Sequence, residues 1–253
     1  MQVAYVSEAP AGGVNEDFVI AGERFVVVLD GVSQRGESGC VHDVPWLVGQ
    51  LGVRLAAGIV ADGVGSLAEI LAGAIEGVCG MHADTCDLSH PSSPSSTVAL
   101  LRRRADVVDY LVLCDSPIVI ETADGNVQAV VDDAVSHLTG YTQEDVQRVR
   151  NRPGGFWVAG ATSEAAEHAI VGSVPAADVR RIALMTDGVS RLVERYGWSW
   201  ARVMDVVEAE GPAAVVRAVR AAEHATAPGA FRGKRHDDAT IVLCRLSGGR
   251  AQA

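Results

Sequence analysis

Apolar positions along the first third of the chain follow two patterns, and these patterns predict strands and helices. Residues 3–6 and 25–29 are apolar runs typical of strands, and the second is so uniform that burial on both faces is expected. Apolar residues recur at every fourth position from about 44 to 60, which predicts a helix. A second helix is predicted from Ser66, a residue type that caps helices, to Met81.

The rest of the chain predicts a strand-rich middle, two helices and a last strand. Four β-rich segments separated by turn signals predict an antiparallel meander: residues 96–102, 107–114, 118–122 and 127–131. Strands at 169–171 and 181–185, helices at 198–208 and 211–225 and a strand at 239–246 are predicted to follow. Because the helices cluster between groups of strands, we expect an α+β fold, an α/β/β/α sandwich of two antiparallel sheets flanked by helices.

One domain is expected over residues 1–247, with a disordered tail at 248–253. A chain of 253 residues is long enough to bury a large core. The polar segment at about 132–160 ends in Pro153-Gly154-Gly155 and is predicted to form a flap.

The charge balance favours a cation site over a nucleic-acid or anionic membrane surface. The net charge is −11, and no long basic cluster interrupts it. The first residues lack a basic segment followed by an apolar one, and the apolar stretch 46–61 contains Arg54 and is too short to span a bilayer. We therefore expect a cytoplasmic protein with no nucleic-acid or membrane partner.

The five cysteines are odd in number and include no CxxC pair, which favours free thiols in a reducing compartment. His82, Cys86 and His90 recur every four residues and would share one face of a continuous helix, where they could bind zinc. The sequence from Asp87 to Pro94 favours a loop instead. A helix end followed by a linker is therefore preferred to a zinc site.

Acidic residues stand at the borders of the predicted strands. They are Glu16-Asp17, Asp30, Asp115, Asp187 and Asp237-Asp238. A carboxylate at a strand end is rigidly held yet reaches solvent, which suits a ligand for Mg²⁺ or Mn²⁺. Glycine follows both Asp30 and Asp187 and permits a sharp turn or close approach of an ion. One Asp-Gly pair alone is typical of an ordinary turn, but the whole arrangement indicates a metal site.

Six short motifs, five with acidic residues and one with small hydroxyl residues, follow one another along the chain. They are Asn15-Glu16-Asp17, Val27-Val28-Leu29-Asp30-Gly31, Ser95-Ser96-Thr97-Val98-Ala99, Cys114-Asp115-Ser116, Met185-Thr186-Asp187-Gly188-Val189 and Asp237-Asp238-Ala239-Thr240. In this order, from Asn15 to Leu243, the chain resembles the PP2C, or PPM, family of metal-dependent protein phosphatases. It is similar to a divergent bacterial-type member.

The resemblance implies a site with two Mn²⁺ or Mg²⁺ ions and a possible weak third. In the family pattern Asp30 bridges the two metals, the Gly31 carbonyl binds one, Asp187 and Asp237 complete the coordination, and Asp17 acts through water. Asp115 matches the position of the third metal, Asp238 is more typical of a neighbour of the ligands, and Glu16 has no clear role. The catalytic group implied is a hydroxide bridging the metals held by Asp30, Asp187 and Asp237.

Three departures from the family pattern concern substrate binding, leaving-group protonation and the third metal. Residues 11–14 lack the arginine that grips phosphate, so Arg35, Arg148, Arg150 and Arg152 are the candidates to replace it, against an ordinary solvated surface role for each. Val32 stands where animal members have a histidine, and His42 is the nearest replacement as general acid. Arg191 stands where many relatives have an acid, which weakens the case for a third metal.

Three functions are consistent with these features. The first is a serine/threonine protein phosphatase acting on a phosphorylated protein. The second is a phosphatase of small phosphorylated metabolites that uses the same metals, and the third is a non-catalytic PP2C-like binding module. Retention of Asp30, Asp187 and Asp237 argues against the third.

Overall fold

The computed structural model describes residues 1–33, 36–61, 65–140, 142–231 and 233–246. Arg35 and the expected tail at 248–253 lie outside the described residues. Within these described ranges, ten strands form two five-stranded antiparallel sheets, with the order β1-β10-β9-β6-β7 in the first sheet and β2-β3-β4-β5-β8 in the second. The strands are β1 Gln2–Glu8, β2 Asp17–Ala21, β3 Phe25–Asp30, β4 Val98–Arg103, β5 Val107–Leu113, β6 Ile118–Thr122, β7 Val127–Val130, β8 Ile170–Pro175, β9 Val179–Met185 and β10 Ala239–Arg245.

Helices cover the outer face of each sheet. They are α1 Val44–Ala61, α2 Leu67–His82, α3 Gln143–Val149, α4 Asp187–Glu194, α5 Trp200–Glu210 and α6 Pro212–Ala225. The helices α1 and α2 share an apolar core with the second sheet, and α4, α5 and α6 share another with the first sheet. The predicted α/β/β/α sandwich is confirmed.

Strand β3 shows why its apolar run is continuous. Val27 and Leu29 pack in the core beneath α1 and α2, whereas Val26 and Val28 pack between the two sheets. Because successive side chains of a strand point to opposite faces, a strand covered on both sides needs apolar residues at every position. The predicted burial on both faces is confirmed.

The helix α1 is longer than the apolar stretch considered in the sequence. Its 18 residues are long and apolar enough to cross a membrane by length and composition alone. In the fold its side chains Leu47, Leu51 and Leu55 are buried in the core beneath the second sheet. The apolar residues that give α1 its membrane-like composition thus include the side chains that pack in the core.

The predicted four-strand meander is wrong in its topology. Strands β4 and β5 pair in the second sheet, whereas β6 and β7 pair in the first. The chain therefore changes sheets at Asp115-Ser116-Pro117, just after Cys114, whose φ of 70° is rare for a residue with a side chain. Local turn signals mark where strands end but do not say which sheet the next strand joins.

Two elements beside the acidic motifs were not predicted. The strand β2 is only 5 residues long, and α4 begins at Asp187 itself, where the sequence suggested a turn. The capped helix α2, by contrast, begins after Ser66 as predicted, because the Ser66 hydroxyl accepts from the Glu69 amide.

The segment predicted as a flap, at about 132–160, has regular structure. It contains a 3₁₀ turn at Ala134–His137, the helix α3, and a return in which Phe156 and Val158 pack with Cys114. Ser96 and Ala159 exchange backbone hydrogen bonds of 2.8 Å, which ties the end of the segment to the start of β4. A role as a moving flap stays a prediction.

The expectation of five free thiols is wrong for two of them. Cys40 and Cys86 are joined by a disulfide, whereas Cys79, Cys114 and Cys244 are free. The bonded cysteines are 46 residues apart, and the loop before α1 meets the turn after α2 only in the folded chain. Cysteine spacing along the sequence carries no such information.

Candidate metal centre

Antiparallel pairing of β2 and β3 places Asp17 directly opposite Asp30. The Oδ2 atom of Asp17 accepts hydrogen bonds from the Thr240 hydroxyl at 2.7 Å and the Thr186 hydroxyl at 3.0 Å. Both threonines belong to the other half of the sandwich, so this carboxylate lies where the two sheets meet. Its Oδ1 atom is buried and has no hydrogen-bond partner.

Asp30 is held through both its backbone and its carboxylate. Its carbonyl oxygen accepts from the Ser96 hydroxyl at 3.0 Å and from the Thr97 amide at 2.9 Å. Its Oδ2 atom accepts from the Asp187 amide, at the start of α4, at 3.3 Å. An anion at a helix N-terminus is favoured by the unpaired amides there. Asp30 and Asp187 are therefore neighbours across the two sheets.

The glycines after Asp30 and Asp187 are required by close backbone approach. A Cβ at Gly31 would lie 2.2 Å from Val44 Cγ1 and 2.5 Å from the Glu16 carbonyl oxygen. A Cβ at Gly188 would lie 1.7 Å from the Asp238 carbonyl oxygen. These contacts bring the Glu16-Asp17, Asp30 and Asp237-Asp238 motifs together around Asp187.

Two cationic side chains hold Asp237 and Asp187. The Arg191 guanidinium is 3.0 Å from Asp237 Oδ2 and 3.7 Å from Asp187 Oδ1. It is 1% exposed and is also paired with the fully buried Glu223 at 2.9 Å. The Lys234 Nζ donates to Asp237 Oδ1 at 2.9 Å and lies 3.6 Å from Glu16. It also donates to the Ser33 hydroxyl, which in turn donates to Glu16.

The clustered carboxylates raise one another's pKa. Burial, followed by the charges of Asp238 and Asp187, raises the pKa of Asp17 to about 8 against the lowering effect of its threonine donors. Burial, then the charges of Asp237 and Asp115, raises the pKa of Asp187 to about 7. Burial and the charges of its acidic neighbours raise the pKa of Asp30 well above its usual range. The site holds more negative charge than its own cations neutralise.

The chemistry of these residues fits divalent cations. The donors are carboxylate oxygens with the Gly31 backbone alongside, as Mg²⁺ and Mn²⁺ prefer, and the buried Oδ1 atoms of Asp17 and Asp238 lack partners. No three of these carboxylates have oxygens within 4.8 Å of one another in the described part of the chain. Arg191 is paired with Asp187 and Asp237, and Lys234 with Asp237, so these two cations compete with a metal for the two carboxylates.

The remaining acids of the predicted site lie around this group. Asp115 follows β5, and burial, together with the charges of Glu194 and Asp132, raises its pKa. Asp238 accepts from the Glu16 amide at 3.2 Å, which suits a supporting role. Arg191, at the position of the expected acid, adds positive charge beside Asp187.

The predicted phosphate-binding arginines are engaged elsewhere or exposed. Arg148 is 64% exposed and pairs with Glu144 and Asp145 of its own helix. Arg150 donates to the Ser95 hydroxyl at 3.0 Å and to the Ser93 carbonyl at 3.1 Å, so it anchors its segment. Arg152 is exposed. The structure brings none of these three to the carboxylates.

His42, the predicted general acid, lies in the loop before α1. Its ring stacks on Trp46 with centroids 3.9 Å apart, and its other ring neighbour is His82 at 5.9 Å. Its backbone amide donates to Cys40 Sγ at 3.4 Å. These contacts associate His42 with the disulfide and not with the acidic cluster.

Four side chains of this site were missed in the sequence: Ser33, Thr186, Lys234 and Thr240. Each is within three residues of an aspartate that was selected. Thr186 precedes Asp187, and Lys234 stands three residues before Asp237. Proximity to the acidic motifs was therefore the available signal.

The family comparison agrees with this geometry. The family model for protein phosphatase 2C matches residues 15–220, most of the chain and most of the acidic motifs. The chain belongs to the protein phosphatase 2C family. A search of curated protein sequences found no significant match.

Solved PP2C-type structures share the fold at low sequence identity. The catalytic domain of the serine/threonine phosphatase PstP, solved with two manganese ions, is 17% identical with a TM-score of 0.59, and 96% of each chain is covered. Stp1 of Staphylococcus aureus is 12% identical with a TM-score of 0.67, and coverage is 98% of this chain and 95% of that one. PppA of Pseudomonas aeruginosa, a regulatory component of its type VI secretion system, is 21% identical with a TM-score of 0.59, and 96% of each chain is covered. At these identities the likeness establishes the PP2C fold alone.

Proposed function

We propose that this PP2C-family protein is a metal-dependent phosphomonoesterase that acts on phosphoserine or phosphothreonine in proteins. The observation that carries the proposal is the convergence of Asp17, Asp30, Asp187 and Asp237, from four separate parts of the chain, around buried oxygens without partners. The solved relatives PstP and Stp1 are serine/threonine phosphatases, which supports the substrate class.

Asp30, the Gly31 carbonyl, Asp187 and Asp237 would hold two divalent cations, with Asp17 acting through water. When bound, Mn²⁺ or Mg²⁺ would supply an activated water and offset negative charge on the phosphoryl group. The chain's own part is to orient these carboxylates. Ser96 and Thr97 hold the Asp30 backbone, while Thr186 and Thr240 hold Asp17 without cancelling its charge.

Lys234 is the candidate to bind the substrate phosphate in place of the arginine that residues 11–14 lack. Its Nζ lies among Ser33, Glu16 and Asp237, and the side chain is 35% exposed, so a bound phosphoryl oxygen can reach it. Burial lowers the Lys234 pKa, but the charges of Asp237, Glu16 and Asp30 outweigh burial and raise it, so the amine stays protonated. A protonated amine is an effective point charge for a phosphate.

The direct test is hydrolysis of p-nitrophenyl phosphate by the chelator-treated protein before and after addition of Mn²⁺ or Mg²⁺. Turnover that depends on the added metal is expected. A panel of phosphoserine and phosphothreonine peptides beside phosphorylated metabolites then identifies the substrate class. Turnover of metabolites alone would show that the protein substrate is wrong while the phosphatase activity is right.

One observation favours a second candidate, a non-catalytic PP2C-like binding module. Arg191 and Lys234 already neutralise part of Asp187 and Asp237, as would be expected if metals had been replaced by side chains. In that case a folded sample would show no metal-dependent turnover of any phosphoester, and Mn²⁺ would not raise its melting temperature.

We also propose that the protein is located in the cytoplasm.

A further inference from the structure

A cysteine–histidine cluster lies where the loop before α1 meets the end of α2, and it comprises Cys40, His82 and Cys86. His82 is the last residue of α2, and Cys86 lies in the turn that follows. Both cysteine sulfurs and a ring nitrogen of His82 lie within 4.8 Å of one another. In the described part of the chain, this is the one group of three or more such side chains that meets that distance.

The histidine is placed as a metal ligand would be. Its Nδ1 atom is 3.4 Å from Cys40 Sγ. Tetrahedral zinc, with sulfur at about 2.3 Å and nitrogen at about 2.0–2.1 Å, sets these two ligand atoms roughly 3.6 Å apart. A disulfide has no need of a buried imidazole, yet His82 is only 3% exposed.

Contacts other than the disulfide hold the two segments together. The Asp87 amide, just after Cys86, donates to the Gly39 carbonyl, just before Cys40, at 2.7 Å. Gly39 has a φ of 70°, and a Cβ there would lie 2.6 Å from His90 Cβ. Because the backbone fixes the approach of both segments, the sulfurs stay close when the bond between them is reduced.

The fourth position of such a site has a nearby candidate. The His42 ring centroid is 5.9 Å from that of His82, and the His42 amide donates to Cys40 Sγ at 3.4 Å. The order Cys40-x-His42 and His82-x₃-Cys86 resembles the closely spaced ligand pairs of structural zinc sites. His42 reaches the site by turning away from Trp46, on which it is stacked.

We propose that the reduced protein binds one Zn²⁺ through the sulfurs of Cys40 and Cys86 and the Nδ1 atom of His82, with His42 nearest to the fourth position. Reduction by a thiol or phosphine adds two electrons and two protons and opens the disulfide. Zinc then displaces both thiol protons and forms two Zn–S bonds and one Zn–N bond. The site would tie the loop that leaves Gly31 of the carboxylate centre to the end of α2.

The experiment measures zinc in the intact protein after phosphine reduction and removal of metals by a chelator. Titration with ZnCl₂ should show one more tightly bound zinc in the wild type than in Cys40→Ser/Cys86→Ser. The difference subtracts any zinc held by the carboxylates. Cys79→Ser/Cys244→Ser is the matched control and should keep the extra zinc. His82→Asn should raise the zinc Kd by at least about tenfold, since even residues outside the coordination shell alter metal affinity by that much.

Two further measurements keep the test clear if the double serine variant fails to fold. Co²⁺ added to the reduced wild type should give the near-ultraviolet absorption of thiolate-to-cobalt charge transfer, which carboxylate ligands do not produce. In the same protein, zinc should slow alkylation of Cys40 and Cys86 by iodoacetamide at least about tenfold, as expected when thiolates are held by the metal. The alkylation of Cys79 should not change.

The proposal is overturned if the reduced wild type shows neither the cobalt absorption nor zinc protection of Cys40 and Cys86. The pair would then be a disulfide and nothing more. None of these measurements depends on phosphatase activity, so the zinc site and the proposed function stand or fall separately.

Discussion

The carboxylates of the metal centre are held in two different ways. The Asp17 carboxylate accepts hydrogen bonds from two threonine hydroxyls, and the Asp30 carboxylate accepts one from the Asp187 backbone amide. Asp187 and Asp237 are paired with Arg191, and Asp237 also with Lys234. One half of the centre is thus oriented by neutral donors and the other by cations.

The difference matters for a site that we propose to bind cations. Neutral donors orient a carboxylate without adding positive charge, and burial raises the pKa of Asp17 even though its threonine donors lower it. Cations orient a carboxylate by cancelling its charge, so they compete with a metal. We therefore expect substitutions in the half held by neutral donors to reduce mainly activity. Substitutions in the half held by cations should reduce mainly stability.

The largest effect on activity is expected from Asp30→Asn, in the half held by neutral donors. Loss of a carboxylate that would hold the metals should reduce metal-dependent hydrolysis by at least about 100-fold, because each 1.4 kcal/mol of lost stabilisation costs tenfold in rate. The metal-free variant should be at least as stable as the wild type, because one of several clustered charges is gone. Phosphatase assays and urea denaturation measure the two.

Asp84→Asn, at an exposed carboxylate after α2, is the control for Asp30→Asn and should change neither quantity. Full activity of Asp30→Asn would show that the acidic cluster is not the catalytic centre.

The largest effect on stability is expected from Arg191→Met, in the half held by cations. Removing one member of a buried ion pair costs about 3–5 kcal/mol when the partner charge stays buried; Glu223 keeps Arg220 at 3.0 Å, so a loss of about 3 kcal/mol is expected. Urea denaturation measures the loss, and Arg217→Met on the exposed face of α6 is the control. Adding Glu223→Gln to Arg191→Met should recover part of the stability; no loss in the single variant would contradict a structural role for Arg191.

A smaller effect is expected from Thr240→Val, which removes one hydroxyl from Asp17 and keeps the side-chain shape. Loss of a group that orients a metal ligand typically weakens metal affinity by about 10–100-fold. The Mn²⁺ concentration that gives half-maximal activity should rise by that amount. Thr226→Val, whose hydroxyl bonds only the Ala222 carbonyl of its own helix, should leave it unchanged. Equal effects of the two variants would mean that the Asp17 contact is unimportant for metal binding.

Lys234→Gln is expected to affect substrate binding more than metal binding. Loss of a charge-assisted hydrogen bond of about 1.5–3 kcal/mol should raise the KM for a phosphorylated substrate by roughly tenfold or more. Lys234→Arg keeps the charge and should retain much of the affinity. If Lys234→Gln changed kcat and metal dependence but not KM, Lys234 would be part of the metal centre and would not be a phosphate-binding residue.

A further prediction concerns the pH dependence of stability in the chelator-treated protein. The pKa of Asp17 is raised from 3.8 to about 8 on folding. Between these values the folded state holds a proton that the unfolded state has released, so the free energy of unfolding falls as pH rises from about 4 to about 8. Denaturation midpoints across this range measure the slope. Asp17→Asn should make it shallower, and an unchanged slope would assign the effect to other groups.

Many of the strands and helices, and the aspartates of the candidate site, could be predicted from local sequence patterns. Strand β3 was predicted because it is apolar at every position, and α2 because its cap and spacing are local. Asp30 and Asp187 were selected because each ends an apolar run and precedes glycine. The strand β2 and the helix α4 were missed because they are short and adjoin polar motifs, where periodicity gives little signal.

The sequence by itself determined which residues are the candidates for the chemistry, since a carboxylate at a strand end is recognisable without knowing its partners. Only the tertiary structure decided how each is held: Asp17 by threonines from the other sheet, Asp237 by Arg191 and Lys234. It also decided that Cys40 meets His82 and Cys86. These contacts join segments far apart in the chain, and their distances depend on how whole sheets and helices pack, which no local pattern records.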